Sequence, residues 1–160
     1  MKKALIAYFS CTGTTEKLAK GIATAVKGDL YKITPLVPYT KADLNWNDKN
    51  SRSSIEMRNK SSRPEIIGKL ATLAIYDVIF IGFPIWWYLP PTIINTFIES
   101  YDFSYKTVIP FATSGGSGVG ECDKFLQNSC SLSTNWRPAR RFDKNTHVEE
   151  LKVWIESLKL

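Results

Sequence analysis

Histidine is nearly absent from this 160-residue sequence, and cysteine is scarce and unpaired in pattern. With His147 alone, a histidine-rich metal site is excluded, and a Ser-His or Cys-His catalytic pair has a single candidate base. The three cysteines, Cys11, Cys122 and Cys130, are odd in number and lack CxxC spacing, which argues against a disulfide framework or a cysteine zinc site. No metal is expected. A long unbroken hydrophobic run is also missing. Residues 78–98 are uncharged and nearly long enough to cross a bilayer, but Gly82, Pro84, Pro90, Pro91 and Asn95 would break one continuous helix. After Met1-Lys2-Lys3, the apolar stretch Ala4 to Phe9 is shorter than a secretion signal's roughly 7–15 residues, and Phe9-Ser10-Cys11 is a poor processing site. The expectation is a soluble, cytoplasmic protein with no membrane partner.

What is present fits a globular chain. A composition of 44% hydrophobic and 22% charged residues rules out a disordered or collagen-like polymer. The length suits one domain spanning 1–160, given a usual size of about 100–200 residues. Such a chain buries roughly 70% of its unfolded surface and needs no covalent staples. The net charge is +6. It concentrates in 41–63 (Lys41, Lys49, Arg52, Arg58, Lys60, Arg63) and in a second cluster of Arg137, Arg140, Arg141 and Lys144. No aromatic-interleaved motif or zinc finger accompanies these clusters, so they read as solvated surface rather than a nucleic-acid face.

Strand and helix patterns alternate along the chain. Lys3 to Phe9 reads as a strand. Thr14 or Thr15 can cap the helix that follows, with Leu18, Ala19, Ile22 and Val26 at helical spacing and Gly28 as its stop. Leu30 to Ile33 is a weaker strand. Pro38 to Arg63 is a polar, basic insertion, with a helical stretch expected near Ser54. Pro64 suits a helix N1 position, and Ile66, Ile67, Leu70, Leu73 and Ala74 give that helix its stripe. Tyr76 to Gly82 is apolar on both faces, as a buried parallel strand should be. Pro91 opens a helix through Ile94, Phe97 and Ile98, and Thr107 to Thr113 is a fourth strand. A helix over 121–129 and a short strand near Trp136 to Arg141 follow. The last helix is expected to start on a capping box, Thr146 with Glu149, and to bury Val148, Leu151, Trp154, Ile155 and Leu158. This order predicts an open parallel α/β sheet.

Ligands of such sheets bind beyond the C-terminal strand ends, and the three chemically unusual loops all follow strands. Ser10-Cys11-Thr12-Gly13-Thr14-Thr15 offers four hydroxyls and a helix N-terminus, an anion cradle without a cationic side chain. It lacks the GK[ST] ending of a nucleotide-triphosphate loop. The bland alternative is an ordinary hydroxyl-rich helix cap, but four hydroxyls exceed what one cap uses. Phe83-Pro84-Ile85-Trp86-Trp87-Tyr88-Leu89-Pro90-Pro91 carries three consecutive large aromatics that cannot all face one core. A flat ligand would explain at least one of them by stacking. Thr113-Ser114-Gly115-Gly116-Ser117-Gly118-Val119-Gly120 falls short of GxGxxG because Glu121 stands where the last glycine belongs. A Rossmann dinucleotide site is thereby disfavoured, and close approach of backbone to a flat ligand remains.

Together the loops describe a mononucleotide. Ile6-Ala7-Tyr8-Phe9-Ser10-Cys11-Thr12-Gly13-Thr14-Thr15-Glu16-Lys17-Leu18-Ala19 resembles the flavodoxin phosphate-loop signature. Gly82-Phe83-Pro84-Ile85-Trp86-Trp87 and Thr113-Ser114-Gly115-Gly116-Ser117-Gly118 are similar to the flavin loops of a bacterial flavodoxin-like branch. The resemblance implies a doubly wound five-stranded parallel sheet ordered 2-1-3-4-5, with a polar insertion between the second and third strands, and noncovalent FMN. Ser10, Thr12, Gly13, Thr14 and Thr15 would take the phosphate, with Cys11 in the same loop. Pro84, Ile85, Trp86, Trp87 and Tyr88 would line one side of the isoalloxazine. Thr113, Ser114, Gly115, Gly116 and Gly118 would lie along the ribityl and pyrimidine side. The implied function is electron transfer through bound flavin, with a redox partner protein. The alternative is an FMN-dependent reductase using NAD(P)H and a small acceptor such as a quinone. A low-molecular-weight phosphatase would need Cys-x5-Arg-Ser, and Lys17-Leu18 occupies that place. Carrier flavodoxins are generally acidic, a pattern from which 21 basic against 15 acidic residues depart.

Overall fold

The structure, a computed structural model, describes residues 2–160. The main sheet is parallel. Its spine is β1 (Ala4–Tyr8), β5 (Val78–Pro84) and β6 (Thr107–Thr113), with β2 (Asp29–Lys32) outside β1. The lane beyond β6 is split between β7 (Asn135–Trp136) and β8 (Arg140–Phe142). Counted as lanes, the order is 2-1-3-4-5, as the sequence pattern implies. Pro110 lies opposite the break between β7 and β8, at a point where the strand has no N–H to offer a neighbour.

The central strands are apolar on both faces because both faces are covered. Leu5, Ala7, Ile79, Ile81, Phe83, Val108 and Ala112 pack on one side against Ile94, Phe97 and Ile98 of α3 (Thr92–Glu99) and Leu126 of α4 (Cys122–Gln127). Ile6, Tyr8, Phe80, Ile109 and Phe111 pack on the other against Leu18 and Ile22 of α1 (Thr14–Val26) and Leu151 and Trp154 of α5 (Val148–Leu158). Gly82 is required by this packing: a Cβ there would come within 2.2 Å of the Phe111 ring. No helix among the described residues is long and apolar enough to cross a membrane.

Two expectations fail in instructive ways. Residues 64–75 contain no helix. Ile66–Ile67 forms β4, which pairs antiparallel with β3 (Thr34–Pro35), and Gly68 at φ 78 turns the chain away. The apolar spacing was real, but it places Leu70 and Leu73 against the core through turns, with the Leu70 N–H donating to the Tyr101 hydroxyl at 2.9 Å. The last helix likewise starts without its capping box. His147 is the N-cap, the Thr146 hydroxyl donates to the Asp143 carbonyl at 2.9 Å, and Glu149 pairs with Lys152. Val148 is consequently exposed rather than buried, while Ile155 and Leu158 are partly buried. The insertion does contain its helix, α2 (Arg52–Arg58), capped by Ser51 through the Ser54 N–H.

Candidate functional site

The loop after β1 reaches α1 without a side-chain cap. Gly13, at φ 91, is the N-cap, and the Ser10 hydroxyl is turned to the Gly13 N–H at 3.1 Å. The first helical hydrogen bond runs from the Lys17 N–H to the Gly13 carbonyl, so geometry leaves the preceding N–H groups of the first turn without intrahelical partners. Those donors, with the Thr12 and Thr14 side chains beside them, face an open cleft. The Thr12 and Thr14 hydroxyls are therefore not consumed in capping, and an uncapped helix terminus of this kind can accept an anion. Thr15 stands apart. It is 2% exposed, and its hydroxyl is paired with that of Thr113 at 2.8 Å, which ties the first loop to the end of β6.

Cys11 lies in the same loop. It packs against the core, and burial pushes its thiol up to about 12, with Arg52 opposing and Glu56 reinforcing that shift. A thiol held neutral is a poor nucleophile, which argues against a phosphatase mechanism.

The loop after β5 is a strained hairpin. Trp86 and Leu89 exchange both backbone hydrogen bonds, at 2.9 and 3.1 Å, while Trp87 and Tyr88 sit at φ 47 and φ 63. Two consecutive left-handed residues mark a type I′ turn, which asparagine and glycine ordinarily fill. Here the positions carry an indole and a phenol, 44% and 59% exposed respectively. Trp86 points the other way, edge-on to Phe9 and Tyr39 with centroids 5.9 and 5.6 Å apart. The three aromatics thus divide into one anchor and two presented rings. Ile85 is tied to β6 by its N–H, which donates to the Thr113 carbonyl at 2.9 Å, and it packs on the core.

The third loop is latched by a residue that sequence reasoning assigned to bulk surface. The Arg141 Nε donates to the Ser114 hydroxyl at 2.7 Å and its Nη2 to the Ser114 carbonyl at 3.0 Å, while that hydroxyl donates to the Ser117 carbonyl. A Cβ on Gly115, Gly116 or Gly118 would meet nothing within 4 Å, so these glycines border open space. Gly120 differs: at φ 48, its Cβ would lie 2.9 Å from both the Cβ and the carbonyl oxygen of Tyr88. The aromatic turn and the glycine loop meet there without room for a side chain.

Two hollows sharing Gly115 run between these loops. One, of about 550 Å³, is bordered by Thr12, Thr14, Pro84, Thr113, Ser114 and, from β8 and the turn after it, Arg141, Asp143 and Lys144. The other, of about 450 Å³, lies among Trp86, Trp87, Tyr88, Gly115 and Gly116, with Trp46 and Leu44 of the insertion opposite. The sequence reading missed Trp46, Arg141 and Lys144. Trp46 is 69% exposed, and the other two read in the sequence as solvated charge. An exposed tryptophan within a polar insertion was the available signal. The insertion itself is pinned through Tyr39, whose hydroxyl donates to the Glu56 carboxylate at 2.6 Å and whose ring lies 3.7 Å beneath the Arg52 guanidinium.

An open α/β sheet binds its ligand where the strand order reverses, and these loops gather at the ends of β1, β5 and β6. Fold and cleft together define a doubly wound α/β protein with its cleft at the strand ends. The chain belongs to the flavodoxin family, whose pattern, described as Flavodoxin, matches residues 3–158. Among solved structures, a protein from Bacteroides uniformis ATCC 8492, provisionally described as a flavoprotein, is 54% identical, with 97% of this chain and 98% of that one covered and a TM-score of 0.92. A counterpart from Bacteroides eggerthii DSM 20697, described in the same way, is 47% identical over 100% of this chain and 99% of its own, with a TM-score of 0.93. A Lactobacillus acidophilus NCFM flavoprotein, solved in complex with FMN, is 26% identical over 88% of this chain and 93% of its own, with a TM-score of 0.69. The search of curated proteins found no match.

Proposed function

We propose that the chain binds FMN noncovalently and serves in electron transfer through it. The observation that carries this reading is the uncapped N-terminus of α1, opening on a hollow that continues into one walled by tryptophans. The donor set suits a phosphate monoester: backbone N–H groups, the Thr12 and Thr14 hydroxyls, and the cations Arg141 and Lys144 at the border. The FMN complex of the Lactobacillus acidophilus relative supports the same ligand.

Bound FMN supplies a ring that exchanges one or two electrons. The protein's part is to hold and shield that ring. Trp87 and Trp46 offer faces for stacking and exclude water, and the bare backbone at Gly115 and Gly116 admits a flat edge closely. Arg141 fixes the loop that carries those glycines.

Electrons would pass to a redox partner protein. The second reading, an NAD(P)H-dependent reductase of a small acceptor, is favoured by the basic insertion beside the ring hollow, where Lys49 and Arg58 could attract an anionic reactant. A basic surface within about a Debye length, roughly 8–10 Å, favours the anionic reduced flavin and a less negative hydroquinone couple than an acidic carrier shows. The cytoplasm is the proposed compartment, a reading supported by three free cysteines.

Titration of the apoprotein with FMN and with riboflavin tests the assignment. A charge-assisted hydrogen bond contributes roughly 1.5–3 kcal/mol, so Thr12→Ala should weaken FMN about 10–100-fold, and riboflavin should bind far more weakly than FMN. Equal affinity for the two flavins would sink the phosphate site. Stopped-flow mixing of the loaded protein with NAD(P)H separates the two roles: rapid flavin reduction means reductase, and none means carrier.

A further inference from the structure

Next to the ring hollow lies another space of about 380 Å³, and the flavin assignment makes no use of it. Trp46 and Trp87 border both spaces. The remaining border comes from the insertion: Ser54, Met57 and Arg58 of α2, and Lys49 just before it. Its two cations are Lys49 and Arg58. Arg52 and Arg63 are paired with Glu56 and Glu99, at 2.8 Å each, whereas neither Lys49 nor Arg58 forms an ion pair among the described residues. Arg58 is nevertheless held in place, since its Nη1 donates to the Lys49 carbonyl at 2.5 Å.

Unpaired cations on a surface are common and by themselves specify nothing. Here they share a hollow with two indoles and a thioether. Indole faces and a methionine sulfur favour a flat ring, and neighbouring cations favour an acid group on its edge. We propose that this space is a docking site for a planar aromatic acid, a flat ring that carries a carboxylate, sulfonate or phosphate either directly or through a sugar. That chemistry has two sources: an acid-bearing quinone, or the phosphoadenosine portion of a nicotinamide dinucleotide. Binding there does not depend on FMN filling the neighbouring hollow. Only a redox role for the docked ring rests on that reading.

Calorimetric titration with anthraquinone-2-sulfonate and with adenosine 2′,5′-bisphosphate, on the protein with and without FMN, tests the site. At least one probe should bind saturably at one site per chain in both forms, and the tighter of the two identifies the source. Lys49→Gln and Arg58→Gln should each weaken that binding roughly tenfold while leaving FMN affinity and the circular dichroism spectrum unchanged. For the quinone, uncharged 2-methylanthraquinone should bind more weakly than the sulfonate. Failure of both probes, undiminished binding in the double variant, or displacement of the probe by FMN would overturn the proposal. If FMN does not bind but a probe still does, with the same dependence on Lys49 and Arg58, the flavin reading falls and the docking site stands.

Discussion

Replacing Trp87 and Tyr88 together, once with alanine and once with glycine, measures the strain held in the aromatic turn. Both double variants remove the same rings, so lost burial and lost stacking are common to the two. They differ only in two Cβ atoms at φ 47 and φ 63. Left-handed backbone costs a residue with a Cβ roughly 1–2 kcal/mol. Glycine gives back part of this, roughly 0.4–1 kcal/mol per residue, through the extra freedom of the unfolded chain. The double-glycine protein should therefore exceed the double-alanine protein by about 1–2 kcal/mol. For a domain of this size, 1 kcal/mol moves Tm by roughly 2–4 °C, so thermal unfolding of the cofactor-free proteins should separate them by about 3–6 °C. The sign is the informative part, because at an ordinary position glycine is the less stable choice. FMN affinity should fall in both variants by a similar factor. A double-alanine protein at least as stable as the double-glycine one would refute the strain.

Four further outcomes follow from the packing. Gly82→Ala places a methyl group 2.2 Å from the buried Phe111 ring, so it should cost about 1–3 kcal/mol, read as a lower urea midpoint and partly rescued by Phe111→Leu; an unchanged midpoint would show that the sheet yields freely. Thr15→Val or Thr113→Val leaves the other hydroxyl buried alone, at a cost of roughly 1–3 kcal/mol, and the double variant should be less destabilised than the sum of the two; strict additivity in a double-mutant cycle would mean the pair is not coupled. With its thiol at about 12 instead of 9.0, Cys11 carries about a thousandfold less thiolate at pH 8, so peptide mapping after iodoacetamide should find it unmodified long after a free thiol has reacted. Because the folded state holds that proton more tightly, the contribution of Cys11 to stability is complete below 9.0 and is lost as pH rises from 9.0 toward about 12; a Tm that climbs through this window would contradict the assignment.

Much of this architecture was legible because the residues carry local and global signals that agree. Val78 to Phe83 is apolar at every position except for Gly82, and only a strand covered on both sides uses such a run. The loop after β1 stood out because a hydroxyl-rich turn directly preceding a helix is chemically unusual. Residues 64–75 misled because Ile66, Ile67, Leu70 and Leu73 match helical spacing over too short a stretch to exclude other conformations. What decides there is pairing with Thr34–Pro35, a contact that no local pattern can announce. Arg141 and Lys144 were illegible for a similar reason. Nothing local distinguishes a cation that latches a loop or borders a cleft from one that is solvated, and only the return of the chain through β8 brings them to Ser114 and Thr12. Trp86, Trp87 and Tyr88 were legible as a group but not individually, since the turn's backbone decides which ring faces inward.

The broken outer lane has a consequence for how this protein meets other molecules. A continuous exposed strand invites another chain to add itself by backbone pairing, the route to sheet-extended dimers and aggregates. Beyond β6 an incoming strand would meet only the two residues of β7 and the three of β8, interrupted opposite Pro110. The opposite margin, β2, is four residues long and charged at both ends by Asp29 and Lys32, with Lys3 bridging to Asp29 at 3.5 Å. Neither margin offers a stranger a row of donors and acceptors long enough to hold. Backbone pairing is thus disfavoured along both sides of the sheet, which leaves its loop-bearing end, where the two presented aromatic rings stand, free of that constraint.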